Sequence, residues 1–445
     1  VSGLYYYGGN TPLHMAVAGN RPQAVRYLLD QGADIEAKNS DGKTPLLLSA
    51  ETGNIAIYDR LQARGAKTHI TDKNGNTAVL LTLQSLKDEP EKAFKTVQAL
   101  IDRHADFSNG NRWQQPPLHL AAEYKLTAVT RLLVHQGADI QAINNKGESP
   151  LFSSLSGGYF TYHSPDYEFQ RSETFEYLVT LEQNYSLKNH RGQTLLHRVC
   201  NPDYIDLLLD KKVSETERDK EGQTPPFFAI EHCPVESVLS YINHGFDIQS
   251  VGVDGKTVPL AALNNVFFRK EMLAFVIDQG ADVTQPDSLG VVTLHRAAAH
   301  SPQILDLVIN HGGDINVRTK TGATPLHVAA SINPYKLIYP DRADRHRLNT
   351  EAYRHLLGKP GVLLNAKDIK GCTPLHRAVN SDSLEKIKLL LEHGADFSVK
   401  ENRGHTPMDM AVLRKNKQMI DLFKQYGAVS SVDTAASYRV LCAYP

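Results

Sequence analysis

Cysteine is scarce in this chain: Cys200, Cys233, Cys372 and Cys442 are the only four in 445 residues, each at least 33 positions from the next. They form no C-x-x-C pair, and the spacing predicts reduced thiols in an intracellular compartment. Tryptophan occurs once, as Trp113. No apolar run approaches transmembrane length, and the N-terminus lacks the charged-then-apolar shape of a signal peptide. Neither sign of charge dominates: 48 Lys+Arg stand against 49 Asp+Glu, a formal net charge of −1. That balance argues against a chain-wide electrostatic grip on nucleic acid or an anionic membrane. No G-x-x-x-x-G-K-[ST] phosphate loop, H-E-x-x-H helix or kinase signature is present. The first residue is Val1 rather than Met, which leaves open an excised fragment with further domains on either side.

What is abundant is repetition. Thr324-Pro-Leu-His327 recurs as Thr11-Pro-Leu-His14, as Thr373-Pro-Leu-His376 and, with one change, as Pro116-Pro-Leu-His119. Worn copies begin at Thr44, Thr77, Ser149, Thr194, Thr224, Thr257, Val292 and Thr406, making twelve starts in all. Five of the intervals (44−11, 77−44, 149−116, 257−224 and 406−373) are 33 residues. A fixed period of this size signals stacked repeats.

Each unit is explicable from its residues. Thr373 offers a hydroxyl to the unpaired amides of a first turn, and Pro374 has no amide to leave unpaired. Leu375, Ala378 and Val379 give a short helix one apolar stripe. Leu384, Ile387, Leu390 and Leu391 predict a second helix, with Glu385, Lys386, Lys388 and Glu392 on its wetter face. Gly394 closes that helix. An extended stretch then reaches the polar turn Asn402-Arg-Gly404, ahead of the next Thr-Pro start.

The unit resembles the ankyrin repeat, with its D-x-x-G-x-T-P-L-H-x-A start, Leu-Leu second helix and Gly-Ala-Asp exit. Matching residues are Asp41-Gly-Lys-Thr-Pro45, Leu28-Leu29, Gly32-Ala-Asp34, Leu132-Leu133, Gly137-Ala-Asp139, Gly280-Ala-Asp282 and Gly394-Ala-Asp396. The resemblance implies an all-α solenoid of stacked helix-turn-helix units with projecting β-hairpin fingers, spanning 10–427. Residues 1–9 would be an N-terminal lead or cap, and 428–445 a C-terminal tail. In that family the motif histidine bonds within and between repeats, so His14, His119, His197, His295, His327 and His376 take a structural role. His197 and Cys200 lie three apart on one helix, but no orienting third residue accompanies them. Asn316 and Asn365 occupy the finger-base position that an asparaginyl hydroxylase modifies in such repeats. Cys442-Ala-Tyr-Pro445 has only the outline of a prenylation box.

Three repeats are lengthened. The third carries Asp88-Glu-Pro-Glu-Lys92 and ends in the finger that holds Trp113, which is either an exposed anchor or packed on its neighbour. The fifth carries an insertion at 157–172 containing Tyr159, Phe160, Tyr162, Tyr167 and Phe169, which either folds back or waits for a partner. The tenth carries 332–349, where Tyr335 and Tyr339 precede the basic Arg342, Arg345 and Arg347. The sixth is short, and its Lys211–Glu221 run predicts a local bend. The seventh and eighth have Phe227 and Leu260 where the histidine would stand, and irregular packing is expected there.

No catalytic group, cofactor or metal site is expected. The function implied is a cytoplasmic, monomeric scaffold that binds partner proteins and not nucleic acid, with no transmembrane segment. Binding would use a preformed concave surface of fingers and first helices, so little ordering entropy is lost. Finger residues Arg318, Lys320 and Arg403, with Trp113 and the two insertions, are the candidate contacts. The uneven repeat lengths are similar to those of effectors that intracellular bacteria deliver into a host cytoplasm. The alternative is the targeting arm of a larger enzyme or channel.

Overall fold

The computed structural model describes residues 7–155, 171–182, 184–266, 269–331 and 342–430, with 7 and 342–349 described by their backbone alone. Each Thr-Pro start opens a short helix, as the capping chemistry requires. These run Pro12–Ala18, Pro45–Glu51, Ala78–Ser85, Pro117–Glu123, Pro150–Ser154 and Leu195–Arg198 in the first six repeats. In the last six they run Pro225–His232, Val258–Ala262, Thr293–Ala297, Pro325–Ser331, Pro374–Asn380 and Pro407–Leu413. A second helix follows each, nine residues long in the regular case, such as Pro22–Asp30 and Leu384–Glu392. In the sixth repeat the first helix is a 3-10 turn, Leu195–Arg198, because Asn201 and Pro202 start the next helix almost at once.

The fold is all-α among the described residues, a succession of helix-turn-helix units as the resemblance implies. The fingers form no regular strand there; each closes through a pair such as Asn39 N–H to Lys43 O (3.0 Å), too short a ladder to count as one. Val251 and Thr257 form an isolated antiparallel bridge.

Contacts divide the chain into two units, Val1–Glu221 and Gly222–Pro445. The division falls at the end of the Lys211–Glu221 run. In the first unit Pro45–Glu51 packs on both Ala78–Ser85 and its own second helix, Ile55–Ala63. Leu46, Leu47, Ile57, Leu61, Val79 and Leu80 fill the space between them at 0–1 % exposure. In the second unit Pro325–Ser331 packs on Pro374–Asn380 in the same way. Each buried Leu or Ile contributes about 2 kcal/mol, repeated layer by layer rather than gathered in one centre.

Arg342–Leu357 is a 16-residue helix, longer by seven than the regular second helix because the tenth-repeat insertion continues into it. The insertion residues 157–170 and 332–341, with Tyr159, Phe160, Tyr162, Tyr167, Phe169, Tyr335 and Tyr339, lie outside the described residues, as does Cys442.

Candidate functional site

The histidine of the start motif ties one repeat to the next. In the eleventh repeat Thr373 N–H donates to His376 Nδ1 (3.1 Å), and Thr373 Oγ1 lies 2.9 Å from the same nitrogen. An amide can only donate, so Nδ1 carries no proton. Nε2 therefore holds the proton and donates it to His405 O at 3.2 Å. His327 repeats the arrangement with Thr324 N–H (3.1 Å) and Cys372 O (2.9 Å), as does His14 with Lys43 O (2.9 Å). Burial favours the neutral ring and pushes His327 and His376 down to about 4; it lowers His14, His119 and His295 as well.

The last repeat replaces this donor by an acceptor. Asp409 Oδ2 takes Thr406 N–H and Thr406 Oγ1–H, both at 2.9 Å, while Ser430 Oγ donates to Oδ1 at 2.7 Å. Repeats seven and eight dispense with the polar bond. Phe227 packs edge-on against Phe246, with centroids 6.2 Å apart. In the eighth repeat Leu260 offers nothing to Thr257, whose buried Oγ1 has no partner.

The fingers are held tip to tip by their backbones. Lys73 N–H donates to Asp41 O, and Arg112 N–H to Asn74 O, both at 2.9 Å. In the second unit Lys320 N–H reaches Leu289 O, and Ile369 N–H reaches Thr321 O, both at 3.0 Å. Such close approach needs glycine at the fourth tip position: a Cβ on Gly290, at φ +75°, would sit 2.7 Å from Lys320 N. Gln114 stands at that position in the third finger, with φ +53°. Behind the tips, finger side chains bond the ends of first helices, as in Lys43 to Glu51 (2.6 Å) and Gln115 to Glu123 (2.8 Å). Many of the scaffold bonds therefore run through backbones and inner side chains, while Lys320 and Arg403 at the tips are exposed.

Trp113 is exposed and stacks within its own finger. It is 41 % exposed, and the Arg112 guanidinium covers its ring at 4.2 Å from the centroid. Arg318, Lys320 and Arg403 are exposed on fingers of the second unit. Arg342, Arg345 and Arg347 fall in the first two turns of Arg342–Leu357.

Several charged groups were misplaced by sequence reasoning or absent from it. Lys386 lies not on a wet face but at 1 % exposure, its Nζ 2.6 Å from Ala329 O and 5.4 Å from the Tyr353 ring centroid. Burial lowers its pKa to about 7. Its spacing from Leu390, four residues on, was the signal that it shares the buried face. Arg377 and Asp368 form a buried pair at 2.5 Å. The reduced-thiol expectation is also corrected: Cys200, Cys233 and Cys372 are disulfide-bonded. Cys200 thus offers no thiol beside His197. Among the described residues no group of three or more His, Cys, Asp or Glu could hold a metal, and no helix is long and apolar enough to cross a membrane.

A family profile of ankyrin repeats in three copies matches residues 4–74 and 343–433, and a single-repeat profile matches 114–145. The human transient receptor potential cation channel subfamily A member 1 is 27% identical over 159 residues, 34% of this chain and 14% of the channel. Human B-cell lymphoma 3 protein is 31% identical over 156 residues, 33% of each chain. An ankyrin repeat protein of Acanthamoeba polyphaga mimivirus is 30% identical over 127 residues, 25% of this chain and 17% of that protein. The matches thus span a third or less of these curated relatives. The solved ankyrin repeat domain of Bcl-3 aligns with a TM-score of 0.41 and 21% identity, covering 53% of this chain and 99% of its own.

Proposed function

We propose that this chain, built of ankyrin repeats, is a non-enzymatic scaffold that binds partner proteins on its finger tips and first helices. The observation that carries the reading is the division of labour within the fingers. Backbone bonds such as Lys320 N–H to Leu289 O (3.0 Å) fix their register, so the tip side chains are free to differ from repeat to repeat. A surface organised before binding loses little conformational entropy when a partner arrives. Trp113, Arg318, Lys320 and Arg403 are its contacts, with the two insertions as additional ones. The uneven repeat lengths support a more specific form, an effector that acts on host proteins in the host cytoplasm. The cytoplasmic placement no longer draws support from the cysteines.

A second reading follows from the relatives' lengths: the chain is the targeting arm of a larger protein. It is favoured by the cation channel, of which the matched segment is 14%.

Affinity capture from a eukaryotic cytosolic lysate tests the first reading. The intact chain is compared with one in which 157–172 and 332–349 are replaced by short turns, and with Trp113→Ala. Specific partners retained by the shortened chain and lost with Trp113→Ala support recognition at the fingers. Partners lost with the insertions move the site there. Absence of any specific partner refutes the reading.

A further inference from the structure

We propose that three successive fingers of the second unit, 313–323, 361–372 and 394–405, form a docking edge for an extended acidic protein segment. The inference rests on the protein-recognition reading and names the class of partner. Each finger carries two cations at its outer and tip positions: Arg318 and Lys320, Lys367 and Lys370, Lys400 and Arg403. Five are exposed and Lys370 is half-buried. None of the six pairs with a carboxylate among the described residues, and the side-chain bonds of Arg318 and Lys367 are to main chain. Arg318 Nη1 donates to Gly322 O (3.0 Å) and Lys367 O (2.8 Å), and Lys367 Nζ donates to Lys400 O (3.1 Å). Carbonyl bonds of this kind line the cations up from finger to finger without cancelling their charge.

The acids of the same fingers are buried or capping their own backbone. Asp368 is held by Arg377 at 2.5 Å, and Glu401 by His405 Nδ1 at 3.0 Å. Asp314 accepts Asn316 N–H at 2.9 Å, and Asp396 accepts Ser398 N–H at 2.8 Å, both at the finger bases. One cation at the corresponding position of the first unit, Lys188, is by contrast paired with Glu217 at 2.6 Å. The formal net charge of −1 conceals this local separation.

Geometry and chemistry favour a peptide. Ile369 N–H to Thr321 O (3.0 Å) and Asn402 N–H to Lys370 O (3.1 Å) hold the three tips in one register. Stacked helix layers lie about 8–10 Å apart, and a chain extended in the polyproline-II form rises about 3.1 Å per residue with three residues per turn, so every third side chain returns to one face about 9 Å further on. A carboxylate at every third residue would therefore meet a cation on each finger. Leu289 and Ile369, 62 % and 64 % exposed, flank Lys320 along the tips and suit aliphatic residues set between the acids. Nucleic acid would call for aromatic platforms at these tips. The only aromatic residue in the three fingers, Phe397, is half-buried below the turn.

Fluorescence anisotropy on the full chain decides the matter. The probes are a labelled ten-residue peptide with Glu at every third position and Leu between, the same composition with its Glu in one block, and a single-stranded oligonucleotide of equal charge. The spaced peptide should bind best and weaken with added salt. The exposed double reversal Lys367→Glu/Lys400→Glu should weaken it at least tenfold, while Lys38→Glu/Lys73→Glu in the first unit leaves it unchanged. Circular dichroism verifies that both variants fold. No binding of the spaced peptide, equal binding by the Lys367→Glu/Lys400→Glu variant, or tighter binding of the oligonucleotide overturns the proposal. Lysate capture separates the two levels. Partners kept equally by that variant sink the acidic-segment inference and leave protein recognition standing, whereas an intact chain that captures nothing sinks both.

Discussion

Acidification should loosen the second unit well above the pH at which its carboxylates titrate. His327 and His376 are neutral in the fold, with pKa lowered to about 4 by burial. In the unfolded chain each returns to about 6.5. Between these values the unfolded state binds more protons, so stability is fully present above about 6.5 and is lost as pH falls through the window to about 4. At pH 5 the linkage relation gives about 2 kcal/mol lost per ring, or about 4 kcal/mol for the two. The structural cost is explicit: a proton on His327 Nδ1 would face the Thr324 amide that now donates to it at 3.1 Å. Repeat arrays do not unfold in one step, so a local probe is required. Hydrogen exchange of the amides in 324–331 and 373–380, compared between about pH 7.5 and 5.0 after correction for intrinsic rates, reads the loss directly. His327→Gln should lower protection at pH 7.5 and remove about half of the pH dependence. Unchanged or greater protection at pH 5 would refute the assignment of these rings as neutral staples. The depressed carboxyls Asp59, Asp106, Asp306 and Asp396 lose their contribution only below the usual 3.8, outside this window.

Three further outcomes are expected in urea denaturation. Gly290→Ala places a Cβ 2.7 Å from Lys320 N at a positive φ and should cost about 1–3 kcal/mol through the lost tip bond and backbone strain. Asp368→Ala removes the buried carboxylate paired with Arg377 and should cost about 3–5 kcal/mol, against less than about 1 kcal/mol for Lys388→Ala, whose pair with Glu392 at 3.7 Å is exposed. Thr257→Val removes a buried hydroxyl that has no partner and should be neutral or stabilising, whereas Thr373→Val, which loses the cap beside His376, should cost about 1 kcal/mol.

The repeats could be found in the sequence because Thr-Pro-Leu-His acts within four residues: proline sets the first turn, and threonine and histidine close it. Spacing alone therefore located every first helix, including the 3-10 turn at Leu195–Arg198. What escaped depends on neighbours far along the chain. Lys386 meets Ala329, 57 residues away, and its charge outweighed the helical spacing that puts it beside Leu390. The Arg377–Asp368 pair joins a helix to the finger before it, a contact that a hydrophobic period cannot show. Among the candidate contacts, Arg318, Lys320 and Arg403 sit on exposed tips as finger composition suggests. The exposure of Trp113 depends on Arg112, stacked over its ring in the same finger.

The histidine staple also gives the array a direction. Each ring reaches forward, from His327 to Cys372 O and from His376 to His405 O, so a repeat that carries the histidine leans on its successor for an acceptor. Cutting the array from the front strands a carbonyl at the new edge, which water can satisfy. Cutting it from the back strands an imidazole N–H in the interior, where water has less access. Asp409 reverses the roles: its carboxylate accepts from Ser430, further along the chain, and presents no N–H to be stranded. Deletions that start at the two ends should therefore be tolerated unequally, and a transplanted block of repeats should survive best when it keeps Asp409 as its final member.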